Sequence, residues 1–266
     1  MIKAFKQHWP EYLMEAWGLG LFMVSAALFT ILLEHPSLGF PELIPSPFAR
    51  RWVIGLAMGL TAIYIMYSPW GKRSGAHLNP AVSITFWKLG KIKREDMIFY
   101  IISQFIGGYI GIVIFKILAY AYISAPSVRY AVTVPGALGW TGAFVLEALL
   151  SFILMFVVLL SSNDRRIAAY TPIWAGILLT FFIALEAPYS GMSINPARTV
   201  ASALPAQVWV GWWIYFLAPP LGMLLASEVY GWMVGTRLFK CYLSPDPEQR
   251  SVHCCPLVKA EKQNSA

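Results

Sequence analysis

The tripeptide Asn-Pro-Ala occurs twice in this chain, inside two segments that otherwise resemble each other. The first is Ser-Gly-Ala-His-Leu-Asn-Pro-Ala-Val at 74–82, and the second is Ser-Gly-Met-Ser-Ile-Asn-Pro-Ala-Arg at 190–198. Each follows a long apolar stretch and leads into an apolar run too short to cross a bilayer, which takes about 20 residues. A motif repeated in this way indicates a channel or transporter built from two related halves.

The composition supports a membrane protein. The 266 residues are 58% hydrophobic and 12% charged, with a mean hydropathy of +0.61, whereas a soluble domain has about 25% charged residues. The net charge of +7 does not indicate nucleic-acid binding, because the basic residues fall mainly between apolar stretches, where they orient a membrane protein. The three cysteines all lie in the C-terminal tail and indicate no disulfide framework.

Six apolar stretches have roughly the length of a transmembrane helix. The predicted spans are Tyr12–Leu33, Trp52–Ser68, Met97–Ala119, Gly139–Leu160, Pro172–Ala187 and Gly211–Gly235. The Pro-rich segment Glu34–Ala49 is expected to be an exposed loop. Most Lys and Arg residues lie on the side that holds both termini, which predicts that both termini are cytoplasmic.

Two shorter apolar runs, Pro80–Leu89 and Pro196–Leu204, follow the asparagine of each motif. Asn is a favoured N-cap and Pro is favoured at the first helical position, so each run predicts a half-helix. Three spans in each half mean that the halves enter the membrane from opposite sides. The sequence therefore predicts an all-α membrane protein with six transmembrane helices and two re-entrant half-helices in an inverted 3+3 repeat.

The chain resembles the major intrinsic protein (aquaporin) family over about residues 11–236. The resemblance depends on both motifs, on Glu15 and Glu147 early in the first helix of each half, and on Gln104 and Gly107 in the third span. It implies a passive channel and no enzyme, with no cofactor or metal, that carries water and small neutral solutes across the lipid bilayer. It also implies a homotetramer with one pore in each subunit.

The expected organisation has three parts. Residues 1–10 form a cytoplasmic N-terminus, and residues 11–236 form the channel domain, with repeats at about 11–120 and 139–236. Residues 237–266 form a cytoplasmic tail of a multi-pass protein of the cell membrane. In that tail, His253-Cys254-Cys255 could bind a metal or, with Cys241, accept a lipid, but an unstructured tail is the favoured interpretation.

The resemblance also assigns pore residues. Two positive half-helix ends would meet at mid-membrane, where Asn79-Pro80-Ala81 and Asn195-Pro196-Ala197 would hold a passing water from both sides and so interrupt proton transfer. Backbone carbonyls would form an acceptor ladder along the pore, from Gly75, Ala76, His77, Gly191, Met192 and Ser193.

A constriction with four positions is expected outside the motifs. Its members are Arg198, Ser193, Ile183 and either Met58 or Gly59. Ile183 stands where water-selective relatives usually carry His, which favours a broader range of solutes. Other positions are typical of water channels, among them Thr199, Ala203, Tyr215 and Phe216.

Several roles remain open in the sequence. The resemblance implies that Glu15 and Glu147 accept hydrogen bonds from the re-entrant loops, although in a secondary transporter they would be the candidate coupling-ion site. His77 could respond to pH or serve as a constitutive hydrogen-bonding group. A closed-pore membrane-organising protein of the same fold is a further alternative, which the intact Asn, Arg and Ser positions disfavour.

Overall fold

The computed structural model describes residues 1–164 and 166–234, and this part of the chain is helical without a strand. In chain order the helices are α1 (Ile2–Glu34), α2 (Phe40–Leu43), α3 (Pro47–Tyr67), α4 (Pro69–Ser74), α5 (Pro80–Lys88), α6 (Arg94–Leu118), α7 (Tyr120–Ile123), α8 (Gly139–Asn163), α9 (Thr171–Ser190), α10 (Pro196–Ala206) and α11 (Trp212–Val234). Short 3-10 helices are Pro36–Leu38, Arg129–Ala131 and Ala168–Tyr170. The predicted tail, with Cys241 and His253-Cys254-Cys255, lies outside the described residues, as does Gly235.

Five long helices among the described residues are apolar enough to cross a membrane: α1, α3, α6, α8 and α9. The sixth long helix, α11, has 23 residues, which gives a length of about 35 Å. Its Trp, Tyr and Pro residues make it less uniformly apolar. With the half-helices α5 and α10, these elements confirm the predicted all-α membrane architecture.

Several helices extend beyond the predicted spans. α1 begins at Ile2 instead of Tyr12, with Pro10 inside it, and α3 begins at Pro47 instead of Trp52. Apolarity locates the stretch that suits a membrane, whereas a helix continues as far as its backbone hydrogen bonds and caps allow. Ser46 caps α3 by accepting from the Ala49 amide at 3.3 Å. The prediction of one loop over 34–49 was therefore wrong, since α2 and the start of α3 lie within it.

The helices pack as two equivalent sets. α1 packs mainly on α6 and α8 on α11, while α10 lies against α6 and α5 against α11. One glycine in each set permits a close crossing. A Cβ atom on Gly107 would lie 2.0 Å from the Ala16 carbonyl oxygen, and one on Gly222 would lie 2.0 Å from that of Ala148. Each pair of long helices thus crosses at a glycine, and the half-helix of the other repeat packs against one member of the pair.

Candidate functional site

Each half-helix begins at the asparagine of its motif. Asn79 and Asn195 are the N-caps of α5 and α10, and the proline that follows occupies the first turn. Each asparagine side-chain oxygen accepts the amide hydrogen of the alanine two residues on, at 2.9 Å in the first motif and 3.0 Å in the second. These caps hold each side-chain oxygen against its own helix, so that the side-chain nitrogen points away from that helix.

The two asparagines also connect the loops to each other. Asn79 Nδ2 donates to the Ile194 carbonyl at 2.7 Å, and Asn195 Nδ2 donates to the Leu78 carbonyl at 2.8 Å. An amide NH₂ group carries two hydrogens, so each asparagine keeps one more donor. Both asparagines line a common cavity, where that hydrogen is available to a solute.

The loops before the motifs share an unusual backbone. Ala76 and Leu78 have φ of 44° and 53°, and Met192 and Ile194, at the same distances from their asparagine, have φ of 45° and 48°. Left-handed conformations at non-glycine residues cost of order 1 kcal/mol or more each. Such strain persists only where surrounding contacts hold the backbone, and two buried glutamates provide those contacts.

Glu15 anchors the first loop from α1 and is completely buried. Its Oε1 accepts from Ser74 Oγ and from the His77 amide, both at 2.9 Å. Its Oε2 accepts from the Leu78 amide at 2.7 Å and from Gln104 Nε2 at 2.9 Å. Each carboxylate oxygen therefore has two donors, which is what an ionised carboxylate needs when it is removed from water.

Glu147 anchors the second loop from α8 in the same way. Its Oε1 accepts from Ser190 Oγ and from the Ser193 amide, both at 2.7 Å, and its Oε2 accepts from the Ile194 amide at 2.5 Å. Among the described residues of the second half, no side chain takes the place of Gln104 at this carboxylate. Arg198 instead lies close enough to attract it electrostatically.

Two tyrosines that the sequence interpretation missed hold the beginnings of the loops. Tyr100 on α6 donates to the Ser74 carbonyl at 2.6 Å, and Tyr215 on α11 donates to the Ser190 carbonyl at 2.6 Å. Both tyrosines are fully buried. Their equivalence follows the internal repeat, so a comparison of the halves beyond the motifs would have found them.

His77 lies in the cavity wall, held by its neighbours. Gln104 Nε2 donates to Ser83 Oγ at 3.1 Å, and Ser83 Oγ lies 3.1 Å from His77 Nδ1. The imidazole also stacks on Phe86, with 4.9 Å between ring centroids. These contacts fix the orientation of the ring, as constitutive hydrogen bonding requires.

A cavity of about 140 Å³ contains the meeting point of the two loops. The predicted site residues that line it are Gly75, Ala76, His77, Asn79, Ser193, Asn195 and Arg198. The rest of its wall is mostly apolar and includes Leu19, Phe22, Ala62, Met66, Val82, Phe86 and Leu179. The cavity thus combines a few polar groups with a mostly hydrophobic lining, as solute-binding sites generally do.

Among the predicted constriction and carbonyl residues, Met58, Gly59, Ile183, Gly191 and Met192 do not line this cavity. The prolines and alanines of the two motifs and the two glutamates do not line it either. Met192 is buried in an apolar cluster with Leu150 and Phe182, and Ile183 packs against that cluster. The loop residues that line the cavity therefore come mainly from the first loop and from the last residues of the second.

The two alternatives for the fourth constriction position lie on different faces of α3. A Cβ atom on Gly59 would lie 2.3 Å from Thr180 Oγ1 and 2.5 Å from the Gly176 carbonyl oxygen, so Gly59 faces α9. Met58 precedes the cavity-lining residues Ala62 and Met66 by one and two helical turns. Residues four apart share a helix face, which favours Met58 for the pore.

Arg198 combines a charge with an uncommitted donor. Its Nη1 atom is buried without a hydrogen-bond partner, and the residue lines the cavity. Its amide hydrogen is bonded to Asn195 Oδ1 at 3.2 Å, which ties the residue to the motif. Among the described residues, no three His, Cys, Asp or Glu side chains are grouped so as to bind a metal ion.

Comparison with known proteins identifies the family. The sequence pattern of the major intrinsic protein family matches residues 6–230. The chain belongs to the major intrinsic protein family. Aquaporins of this family are channels and not enzymes.

Relatives of this major intrinsic protein include plant aquaporins. A probable NIP-type aquaporin of Nicotiana alata is 34% identical over 178 residues, which cover 66% of this chain and 64% of that protein. Aquaporin NIP2-3 of Zea mays is 31% identical over 217 residues, which cover 80% of this chain and 69% of that protein. The chain thus spans less than two thirds of the length of the Nicotiana relative.

The fold also matches a solved structure. The X-ray structure of the aquaglyceroporin from Plasmodium falciparum aligns with a TM-score of 0.72, over 84% of this chain and 95% of that chain, at 22% identity. At this identity the likeness shows the fold alone. It confirms the aquaporin-like architecture expected from the two motifs.

Proposed function

We propose that this protein is a passive channel for water and small uncharged solutes such as glycerol or ammonia, and that it excludes protons and ions. The observation that carries the proposal is the meeting of Asn79 and Asn195 in one cavity, each with an amide hydrogen left for a solute. Because both are N-caps, two half-helix ends with partial positive charge meet there and repel cations. The amides of Asn79 and Asn195 also donate to a passing water from both sides, so that its oxygen cannot accept a proton from the next water.

The cavity wall supports passage of solutes larger than water. Its lining is mostly apolar with a few polar groups, which suits a molecule that carries both hydroxyl groups and a hydrocarbon surface. We assign the constriction to Arg198, Ser193, Ile183 and Met58. Gly59 is left out because its α-carbon is committed to the contact with α9.

The carboxylates do not support a coupled transporter. Glu15 accepts four hydrogen bonds and Glu147 accepts three, all from groups that belong to the loops or to Gln104. A coupling ion would have to displace these donors and release the strained loops. Their role in the proposed channel is to hold the loop backbone.

The protein is a multi-pass membrane protein. We place its channel domain at 11–236, between termini on the cytoplasmic side of the cell membrane, and expect a homotetramer. Large apolar side chains are exposed along the long helices, among them Leu56, Leu60, Ile110, Leu149 and Leu221. Such surfaces require lipid or other subunits around them.

Stopped-flow measurements on proteoliposomes test the proposal. Osmotic water flux and the uptake of glycerol, urea and ammonia should each be compared with protein-free vesicles. We expect faster water flux and faster uptake of at least one solute, linear in concentration, with no proton or cation conductance. Flux that saturates at low solute concentration and requires an ion gradient would show a transporter instead.

A further inference from the structure

Two rows of side chains, one on α8 and one on α9, line the pore cavity at four-residue spacing. The α8 row is Leu154, Val158 and Ser162, and the α9 row is Thr171, Ala175 and Leu179. Residues four apart share a helix face, so each row runs along the cavity. Each row is apolar except for the residue nearest the connection between the two helices. Hydroxyl-bearing side chains therefore stand at that end of the rows alone.

Ser162 lies at the other end of the cavity from Arg198. Glu147 and Ser162 are separated by about 22 Å along α8. Glu147 holds the second pore loop and lies close enough to Arg198 to attract it. Tyr67, at the end of α3, donates to the Ala169 carbonyl just before α9 at 2.7 Å. The chain therefore enters the first pore loop at the same end of the molecule at which α9 begins.

The hydroxyl of Ser162 is free, whereas the hydroxyls beside it are committed. Ser161 Oγ donates to the Val157 carbonyl at 2.7 Å, and Thr171 Oγ1 donates to Ser161 Oγ at 3.0 Å. Within the described part of the chain, Ser162 Oγ has no hydrogen-bond partner, and it is not one of the oxygens shut off from the cavity by other atoms. A free hydroxyl offers one hydrogen and two acceptor positions.

The surroundings of Ser162 make its hydroxyl matter more to a polyol than to water. The cavity wall between Ser162 and Asn79 includes the apolar side chains of Met66, Val82 and Val158. A water molecule in this stretch keeps hydrogen bonds to the waters before and after it. A polyol displaces those waters, so it depends on hydrogen bonds from the wall.

We propose that Ser162 is a solute-binding residue, which forms a second binding position in the pore for small neutral polyols such as glycerol, at the end remote from Arg198. The inference rests on the proposed channel function. A hydroxyl group of the polyol bonds to Ser162 Oγ, while its carbon chain lies against Val158 and Ala175. This contact replaces a hydrogen bond to bulk water that the polyol loses on entering the apolar stretch.

The test compares glycerol and water permeability of proteoliposomes that contain Ser162→Ala. We expect the ratio of glycerol to water permeability to fall by about two- to tenfold, the effect of one net hydrogen bond. The unfolding temperature in detergent should not fall, because the hydroxyl that is removed bonds to no described group of the protein. A fall in the ratio together with undiminished stability is therefore the expected signature of a solute contact.

Ser227→Ala is the matched control. Ser227 is 3% exposed, donates to the Leu224 carbonyl at 2.7 Å and does not line the cavity. The control should lower the unfolding temperature and leave the permeability ratio as in the wild type.

A second variant, Ser162→Cys, keeps the test decisive if Ser162→Ala does not fold. It replaces the hydroxyl by a thiol of similar shape that is a weak donor and acceptor, so the ratio should fall here too. A ratio that is unchanged or raised in either folded variant would overturn the inference while wild-type flux persists. Wild-type vesicles without flux above protein-free vesicles would instead overturn the proposed function.

Discussion

Tyr100 and Tyr215 occupy equivalent positions in the two repeats, and each donates a 2.6 Å hydrogen bond to the carbonyl of the serine that begins a pore loop. The same serines, Ser74 and Ser190, donate their hydroxyls to Glu15 and Glu147. The first serine of each loop is thus held twice, by a tyrosine at its carbonyl and by a glutamate at its hydroxyl. The internal repeat therefore includes these tyrosine and glutamate contacts as well as the Asn-Pro-Ala motif.

Tyr100→Phe and Tyr215→Phe should each lower the free energy of unfolding by about 1–3 kcal/mol, because each removes a hydrogen bond within a fully buried site. Thermal unfolding of the purified protein in detergent measures the effect. Tyr64→Phe serves as the control, because Tyr64 is 63% exposed. A clear loss for one tyrosine and none for the other would contradict the equivalence of the two loops.

Glu15→Gln and Glu147→Gln should destabilise the protein more severely, by about 3 kcal/mol or more. A glutamine amide would present N–H donors to loop amides that are themselves donors, at two buried positions. Loss of folded protein, followed by size-exclusion chromatography, is the expected result for both. Glu42→Gln, in the short exposed helix α2, provides the control. Wild-type stability in either variant would show that its loop is held by other contacts.

The sequence identified those parts of the site that depend on local rules. An Asn followed by Pro predicts a helix start wherever it occurs, so α5 and α10 begin where expected. The tyrosine bonds span 26 and 25 residues, and the bond of Thr133 to Thr199 spans 66. No local pattern marks such partners. The tyrosines could be found by aligning the two halves, whereas the partner of Thr133 becomes visible only when the helices are packed.

The choice between Met58 and Gly59 shows the same limit. The sequence places both near the constriction, because they are adjacent in the chain. One residue turns a helix by about 100°, so the register against α9 decides which of them faces the pore. That register is set by the close approach of Gly59 to Gly176 and Thr180.

Gly59→Ala and Met58→Ala should therefore have different effects. The new Cβ atom in Gly59→Ala would lie 2.5 Å from the Gly176 carbonyl oxygen, and such overpacking typically costs about 1–3 kcal/mol. Met58→Ala should instead widen the constriction and raise glycerol permeability. Unfolding temperature and glycerol uptake separate the two. If Gly59→Ala has normal stability and altered glycerol uptake, then Gly59 and not Met58 lines the constriction.

Arg198→Ala should raise the uptake of glycerol and weaken the exclusion of cations, because it removes both the bulk and the charge of a cavity-lining residue. Glycerol uptake by stopped flow and a pH-sensitive dye inside the vesicles report the two effects, and water flux is measured on the same vesicles. Arg51→Ala is the control, since Arg51 contacts the Ala184 carbonyl and does not line the cavity. Complete loss of water flux in a correctly folded Arg198→Ala protein would place the pore elsewhere.

Glu186→Met should stabilise the protein. Glu186 is 7% exposed, and its buried carboxylate oxygens lie near the Ser190 hydroxyl and amide but make no hydrogen bond of good geometry to them. Ser190, one turn further along α9, donates its hydroxyl to Glu147 instead. Burying an unsatisfied polar group costs about 1–3 kcal/mol, so the free energy of unfolding should rise by that amount when the group is replaced by an unbranched apolar side chain. Glu42→Met, at an exposed position, controls for the change in charge. A fall in stability would mean that Glu186 binds a water molecule or an ion that the fold requires.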